Sequence, residues 1–145
     1  KKLALKFIDI DREIEKETNE KIVNIFKFQG EEYFRKIEEK ITLKILKSQK
    51  SVIALGGGGF LNANIRKEAL SKCITIWLNW NNSTILKRIT KSKKRPVAND
   101  ASNSELTQMI SSRSKIYSLS KFKINCEKTT KNMIVKKIFK IYERL

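Results

Sequence analysis

Residues 52–59 read V-I-A-L-G-G-G-G. An apolar run of strand length, with no polar break and halted by glycine, is how a strand of a parallel sheet reads when helices cover both of its faces. The chain has five glycines in 145 residues and places four of them here. Glycine loses more conformational entropy on folding than any other residue, so such a cluster must permit something that a Cβ would block. Two readings stay open at this point. The run is either a flexible turn after a strand, or a backbone whose N–H groups can approach a phosphate or a hydroxylated ring closely.

Working outward from this run, short apolar stretches alternate with longer amphipathic ones. Upstream, Lys6–Ile10 is predicted as a strand, and Arg12–Glu17 and Lys21–Lys27 as short helices. Glu31–Lys47 is predicted as a long helix, with Phe34, Ile37, Ile41 and Ile45 at helical spacing. Ser51–Leu55 is the strand that enters the glycines. Downstream, the pattern predicts a helix over Asn64–Leu70, a second buried strand over Cys73–Leu78 and a helix over Ser83–Thr90 carrying Ile85, Leu86 and Ile89. It then predicts a helix over Glu105–Leu119, a short strand over Phe122–Asn125 and a closing amphipathic helix over Met133–Arg144. Thr90–Ser104 is polar, aperiodic and contains the only proline, Pro96, so residues 91–104 are expected to form a mobile lid loop. This alternation predicts an α/β fold, a parallel sheet with helices on both faces, as one domain over residues 1–145. Lys1–Leu5 (KKLAL) reads as the tail of a helix. In a doubly wound sheet a strand and a turn precede such a helix, so an N-terminal piece of the fold is expected to be absent from this sequence.

Composition narrows the chemistry. The sequence has no histidine, which removes histidine general bases, Ser-His-Asp triads and most zinc sites. Its two cysteines, Cys73 and Cys126, form no C-x-x-C pair and are expected to be buried thiols in a reducing, cytoplasmic setting. No apolar run approaches the ~20 residues needed to cross a bilayer, so no membrane partner is expected. The formal net charge is +17, but lysine is spread along the whole chain with no dense basic block and no aromatic-interleaved stripe. Surface bias is therefore preferred to nucleic-acid binding, and a basic nucleic-acid-binding domain stands as the alternative.

Several residues could carry chemistry. Asp9 and Asp11, in F-I-D-I-D, stand at the carboxyl end of a predicted strand, where α/β proteins bind ligands. Asp11 could instead cap the next helix. Arg35 and Glu38 are three apart on the long helix and can pair. That pair is either a surface ion pair or a device that fixes the guanidinium for a substrate carboxylate, and the spacing does not choose. Arg95-Pro96 lies in the polar loop, with Arg88 on the helix before it and Arg113 and Tyr117 on the helix after it. A mobile loop with a fixed cation is how small kinases bring charge to a transferring phosphoryl group.

The order D-x-D (Asp9, Asp11), F-R-x-x-E (Phe34 to Glu38), A-L-G-G-G (Ala54 to Gly58), R-P (Arg95, Pro96) and R-x-x-x-Y (Arg113, Tyr117) resembles the shikimate kinase family over almost the whole chain. F-R-x-x-E followed by A-L-G-G-G is the specific part of this resemblance. It implies a fold like that of the P-loop nucleoside-monophosphate kinases and transfer of the ATP γ-phosphate to the 3-hydroxyl of shikimate, with ATP and Mg2+ as cofactors. It further implies Asp9 near the metal, and Asp11 on the ring hydroxyls as acceptor of the 3-hydroxyl proton. Arg35 and Arg113 would hold the substrate carboxylate, with Glu38 orienting Arg35. Gly57 would contact substrate through its backbone, and Gly56 and Gly58 would lie near the γ-phosphate. Arg95 would reach ATP from the lid as a catalytic residue, assisted by Arg88. The enzyme would be a cytoplasmic monomer with shikimate and ATP as its partners. F-R-x-x-E and two arginines directed at a carboxylate favour a hydroxylated acid over gluconate- or nucleotide-type substrates.

The sequence departs from the family lightly at Val97-Ala98, after R-P, and around Thr129–Thr130, and seriously at one point: it contains no G-x-x-x-x-G-K-[ST], and its glycine run continues into Phe60 and Leu61. That motif supplies the ATP phosphate cradle, so the first strand and phosphate loop of the fold are expected to be absent and the kinase activity of this chain negligible. A non-catalytic domain that kept the fold is the second alternative.

Overall fold

The structure is a computed structural model and describes residues 4–48, 50–90 and 102–144. Its elements run β1 (Lys6–Asp9), α1 (Ile10–Thr18), α2 (Ile22–Phe28), α3 (Gly30–Leu46), β2 (Ser51–Ala54), α4 (Ala63–Lys72), β3 (Ile76–Asn79), α5 (Asn82–Thr90), α6 (Asn103–Tyr117), β4 (Phe122–Asn125) and α7 (Lys131–Glu143), with a 3-10 turn at Gly59–Leu61. They form two compact units, Lys1–Cys73 and Ile74–Leu145. The α/β class is as expected.

In the first unit β1 pairs with β2 in parallel, Lys6 opposite Ser51 and Asp9 opposite Ala54. Parallel neighbours need a crossover, and α1 to α3 supply it. Asp9 caps α1, its carboxylate accepting from Asp11 N at 3.1 Å, and Asn19 ends that helix at φ 52°. Glu15 on α1 takes over at α2, accepting from Ile22 N at 3.2 Å and from Lys21 Nζ at 2.8 Å. Gly30, at φ 83°, occupies a conformation that L side chains rarely adopt, and it turns the chain from α2 into α3. The core gathers Ile8, Ile10, Ile14, Ile25, Phe34 and Ile41, with Ile37, Ile45 and Ile53 packed against it. The apolar stripe expected on α3 faces this core.

In the second unit β3 pairs with β4 in parallel, Ile76 opposite Phe122 and Asn79 opposite Asn125. Ile89, Leu106 and Ile110 form one apolar cluster, against which Ile85 and Leu86 pack. Ile124, Cys126 and Ile134 form another. Ser102 caps α6 in a capping box with Glu105, and Thr130 caps α7.

Three expectations need correcting. Cys73–Thr75 is not strand, because Cys73 N–H closes the last turn of α4 on Ala69 O at 2.9 Å and β3 begins only at Ile76. The strands are not covered throughout: Val52 is 40% exposed and Leu78 38%. Of the two cysteines, Cys126 is buried but Cys73 is only half-buried, and neither forms a disulfide. The KKLAL reading falls mostly on residues 1–3, outside the described residues, and Ala4 and Leu5 are not helical. Arg95 and the expected lid over 91–101 also lie outside the described residues; Ser102, Asn103 and Ser104 belong to the cap and first turn of α6.

Candidate active site

The parallel ladder fixes the first part of the site. Since Asp9 stands opposite Ala54, the residues two further along each chain, Asp11 and Gly56, emerge at the same strand tip. A Cβ on Gly56 would stand 2.7 Å from Asp11 Oδ1 and 3.4 Å from Glu38 Oε1, so the acids of α1 and α3 meet over this glycine and a larger residue would push the Asp11 carboxylate aside. Gly59 N–H donates to Gly56 O at 3.1 Å, closing a tight turn with Gly57 and Gly58 at its corner. Gly58 has φ −97° and ψ −24°, open to any residue, so backbone strain does not demand glycine there. Space does: a Cβ would stand 2.6 Å from Cζ of Arg35 and 2.8 Å from its Nη2. The close approach expected of the glycines is made in this structure by the chain's own Asp11 and Arg35.

Arg35 is braced on both sides by its own helix. Nη1 donates to Glu38 Oε2 at 2.7 Å, while Nε and Nη2 donate to Glu31 Oε1 at 3.1 and 2.9 Å. The guanidinium also lies 5.1 Å from the centre of the Phe34 ring. Three of its five N–H groups are thereby engaged, which leaves one on each Nη outside these bonds, enough for a two-pronged fork. Such a fork matches a carboxylate. Glu38 is only 2% exposed, whereas Glu31 is 51% exposed. The first is a fixed internal brace and the second an open one.

The electrostatics follow from this packing. Loss of solvent pushes the Asp11 carboxyl above its ordinary range, the charges of Asp9 and Glu15 push it further, and Arg35 pulls it down. Asp11 nonetheless keeps one side open to solvent. Burial likewise pushes Glu38 up, opposed by its hydrogen bond and charge pairing with Arg35. An acid that is accessible, raised and next to a guanidinium suits proton acceptance from a bound hydroxyl. Asp9 differs: one oxygen caps α1 and the other lies 4.0 Å from Arg12 Nε. The capping role left open for Asp11 therefore belongs to Asp9, and the Asp11 carboxylate is free to face the glycine turn.

Asp11, Arg35, Glu38, Gly56 and Gly58 are thus brought together, with Gly57 exposed at the corner of the turn. Arg113 and Arg88 belong to the second unit. Arg113 is half-buried on α6 and has no acidic partner within 4 Å among the described residues. Arg88 on α5 lies over the Trp80 ring, 4.6 Å from its centre.

Sequence reasoning missed four contributors. Glu31 was legible, because a glutamate four residues before an arginine is the favourable helical pairing. Asn62, which caps α4 by accepting from Asn64 N and Ile65 N, could have been read as a helix start. Glu39, which accepts from the side chains of Asn62 and Asn64, and Arg66, which donates to Phe60 O and Leu61 O, leave no local signal.

Comparison with known proteins decides between the families such a site could serve. The family model described as Shikimate kinase matches residues 1–143. The chain belongs to the shikimate kinase family. A shikimate kinase of Bartonella henselae is 32% identical over 139 residues, covering 95% of this chain and 66% of the relative's own length. The chain thus spans just under two thirds of that relative. Among solved structures, the shikimate kinase of Aquifex aeolicus is 30% identical with a TM-score of 0.86, covering 98% of this chain and 83% of the other. The shikimate kinase of Acinetobacter baumannii, solved in complex with shikimate, is 25% identical with a TM-score of 0.89, covering 98% of this chain and 80% of the other. The family fold agrees with the alternation of parallel strands and helices described above, and no described helix is long and apolar enough to cross a membrane.

Proposed function

We propose that this chain carries the acceptor site of an enzyme that phosphorylates the 3-hydroxyl of shikimate with ATP and Mg2+ in the cytoplasm, as a monomer. The observation that carries the reading is the Arg35 guanidinium, braced by Glu31 and Glu38 and seated on Gly58, beside an Asp11 carboxyl at the same turn. Shikimate is a carboxylate that bears ring hydroxyls, and the site offers a fork for the first and an acid for the second. Arg35 binds the carboxylate with its two remaining N–H groups, and Arg113 is assigned to the same carboxylate on family resemblance alone. Gly57 contacts the ring through its backbone. Asp11 orients the 3-hydroxyl and would accept its proton as the γ-phosphoryl group passes to that oxygen and ADP leaves. Positioning of this kind removes a large part of the barrier without a covalent intermediate.

The ATP side is assigned on family membership alone. The sequence has no G-x-x-x-x-G-K-[ST], and among the described residues no group of three or more acids or cysteines could hold a metal ion. The residues present therefore do not build a phosphate cradle by themselves. Arg95, Arg88, Gly56 and Gly58 are proposed to touch ATP, and Asp9 to stand near its magnesium.

Titration of the 145-residue chain with shikimate, followed by calorimetry and thermal melting, tests this reading. Saturable binding with a raised melting temperature is expected, together with negligible turnover when ATP and Mg2+ are added. No binding at millimolar shikimate would overturn the acceptor-site assignment. Near-normal turnover would overturn the claim that the phosphate cradle is required.

A further inference from the structure

The seating of Gly58 on Arg35 needs an explanation, because no hydrogen bond joins the two residues: Arg35 bonds to Glu31 and Glu38. The turn is rigid along its length: Gly59 N donates to Gly56 O at 3.1 Å, Leu61 N to Gly58 O at 2.9 Å and Asn62 N to Gly59 O at 3.2 Å. Whatever fixes Asn62 therefore fixes the glycines behind it. Asn62 is held from two directions. Its Oδ1 accepts from Asn64 N at 2.9 Å and Ile65 N at 3.0 Å, and its Nδ2 donates to Glu39 Oε2 at 2.8 Å. Asn64 Nδ2 reaches the other oxygen, Glu39 Oε1, at 2.7 Å. Arg66 closes the far side, with Nη1 donating to Phe60 O at 3.1 Å and Leu61 O at 2.8 Å. Glu39 stands on α3, four residues after Arg35 and next to Glu38. One helix thus carries the substrate-facing guanidinium and the anchor for the turn that faces it.

We propose that Glu39 is a positioning residue for the acceptor site: through the amides of Asn62 and Asn64 it sets the Gly56–Gly59 turn against Arg35, and so shapes the fork presented to a substrate carboxylate. This rests on the reading of the site given above. Glu39 touches no substrate. It acts only through the turn. Its carboxyl is held below the ordinary range by the hydrogen bonds from Asn64 and Asn62, as a doubly engaged acceptor should be.

The clasp has a polarity that can be inverted without changing its shape. In Glu39→Gln with Asn64→Asp, the new glutamine amide donates to the new aspartate while its oxygen still accepts from Asn62, and the net charge is unchanged. Glu39→Ala removes both acceptors, and Asn64→Asp alone sets two carboxylates face to face. Calorimetric titration with shikimate is expected to show about a tenfold loss of affinity in each of these two variants, in line with the cost of a slightly misplaced binding group. The double variant is expected to recover most of it. Amide hydrogen exchange supplies the second readout: the N–H groups of Gly59, Leu61 and Asn62 should exchange faster in Glu39→Ala and return towards wild type in the double variant. The β1 and β2 amides, measured in the same sample, should not change and so report that the variant is folded. Wild-type affinity and wild-type exchange in Glu39→Ala would overturn the proposal. So would a double variant as impaired as Glu39→Ala. If the unmutated chain binds no shikimate, the acceptor-site reading fails, and the exchange data still decide whether Glu39 holds the turn.

Discussion

A methyl group on Gly58 would stand 2.6 Å from Cζ of Arg35, while the backbone there suits any residue. Gly58→Ala should therefore leave the fold close to its wild-type stability and displace the guanidinium instead. Calorimetry should show at least a tenfold weaker shikimate complex, since misplacement of a binding group by about 1 Å can cost up to ~100-fold. A second consequence concerns protons. Asp11 and Glu38 both have raised carboxyls in the folded chain, so over the window between the ordinary and raised values the folded state binds more protons than the unfolded one. Their contribution to stability is then greatest below that window and falls as pH rises through it. Asp11→Asn removes one of these penalties. It should melt higher than wild type at neutral pH, with the gap closing on acidification, and should lose shikimate affinity at every pH. A lower melting temperature at pH 7 would refute this. The positions of Asp11, Arg35 and Glu38 were legible from type and spacing, because strand tips and helix faces place their residues by local rules, whereas their roles came from the resemblance. What could not be read was which aspartate caps α1, since Asp9 and Asp11 are both suitable and only the start of the helix at Ile10 decides.

At the scale of elements, every described strand and α-helix was anticipated, and their ends were less so. The stripes on α3 and α5 were visible because 3.6-residue periodicity is written in the chain itself. The ends depend on partners from elsewhere. Glu15 of α1 accepts from Ile22 N at 3.2 Å at the start of α2. Glu127, after β4, accepts from Asn81 N at 3.2 Å and from Thr84 Oγ1 at 2.6 Å at the start of α5. No local pattern announces either contact. The start of α6 is different, because Ser102 and Glu105 form a capping box from adjacent sequence, Ser102 N donating to Glu105 Oε2 at 2.7 Å and Glu105 N to Ser102 Oγ at 3.3 Å. Ser102→Ala should cost about 1 kcal/mol of stability in urea denaturation, with an unchanged m-value. Restoration by Ser102→Asp, itself a good N-cap, would separate capping from loss of packing.

For the whole molecule the dominant fact is charge: 32 lysines and arginines against 15 aspartates and glutamates give +17, the feature most open to misreading from sequence. Two effects of that charge oppose each other, and salt separates them. Self-repulsion destabilises the compact state, and screening relieves it, so the melting temperature should rise as NaCl goes from 0.1 to 1 M and the Debye length shrinks from about 10 Å to about 3 Å. Attraction of an anionic ligand is weakened by the same screening, so shikimate affinity should fall over the same range. The size of that fall distinguishes the acceptor-site reading from the nucleic-acid alternative. A single carboxylate held by one or two guanidinium groups should show a shallow dependence, no steeper than about one power of salt, because each neutralised charge contributes a slope of roughly −0.9 even on a duplex. A protein built to hold DNA would neutralise many phosphates and lose several decades of affinity. Parallel titrations with shikimate and with a short DNA duplex at three salt concentrations read both slopes. A shallow shikimate slope, with duplex binding that vanishes near physiological salt, is the expected pair. Duplex affinity that persists there, with shikimate binding absent, would transfer the function of this surface to nucleic acid.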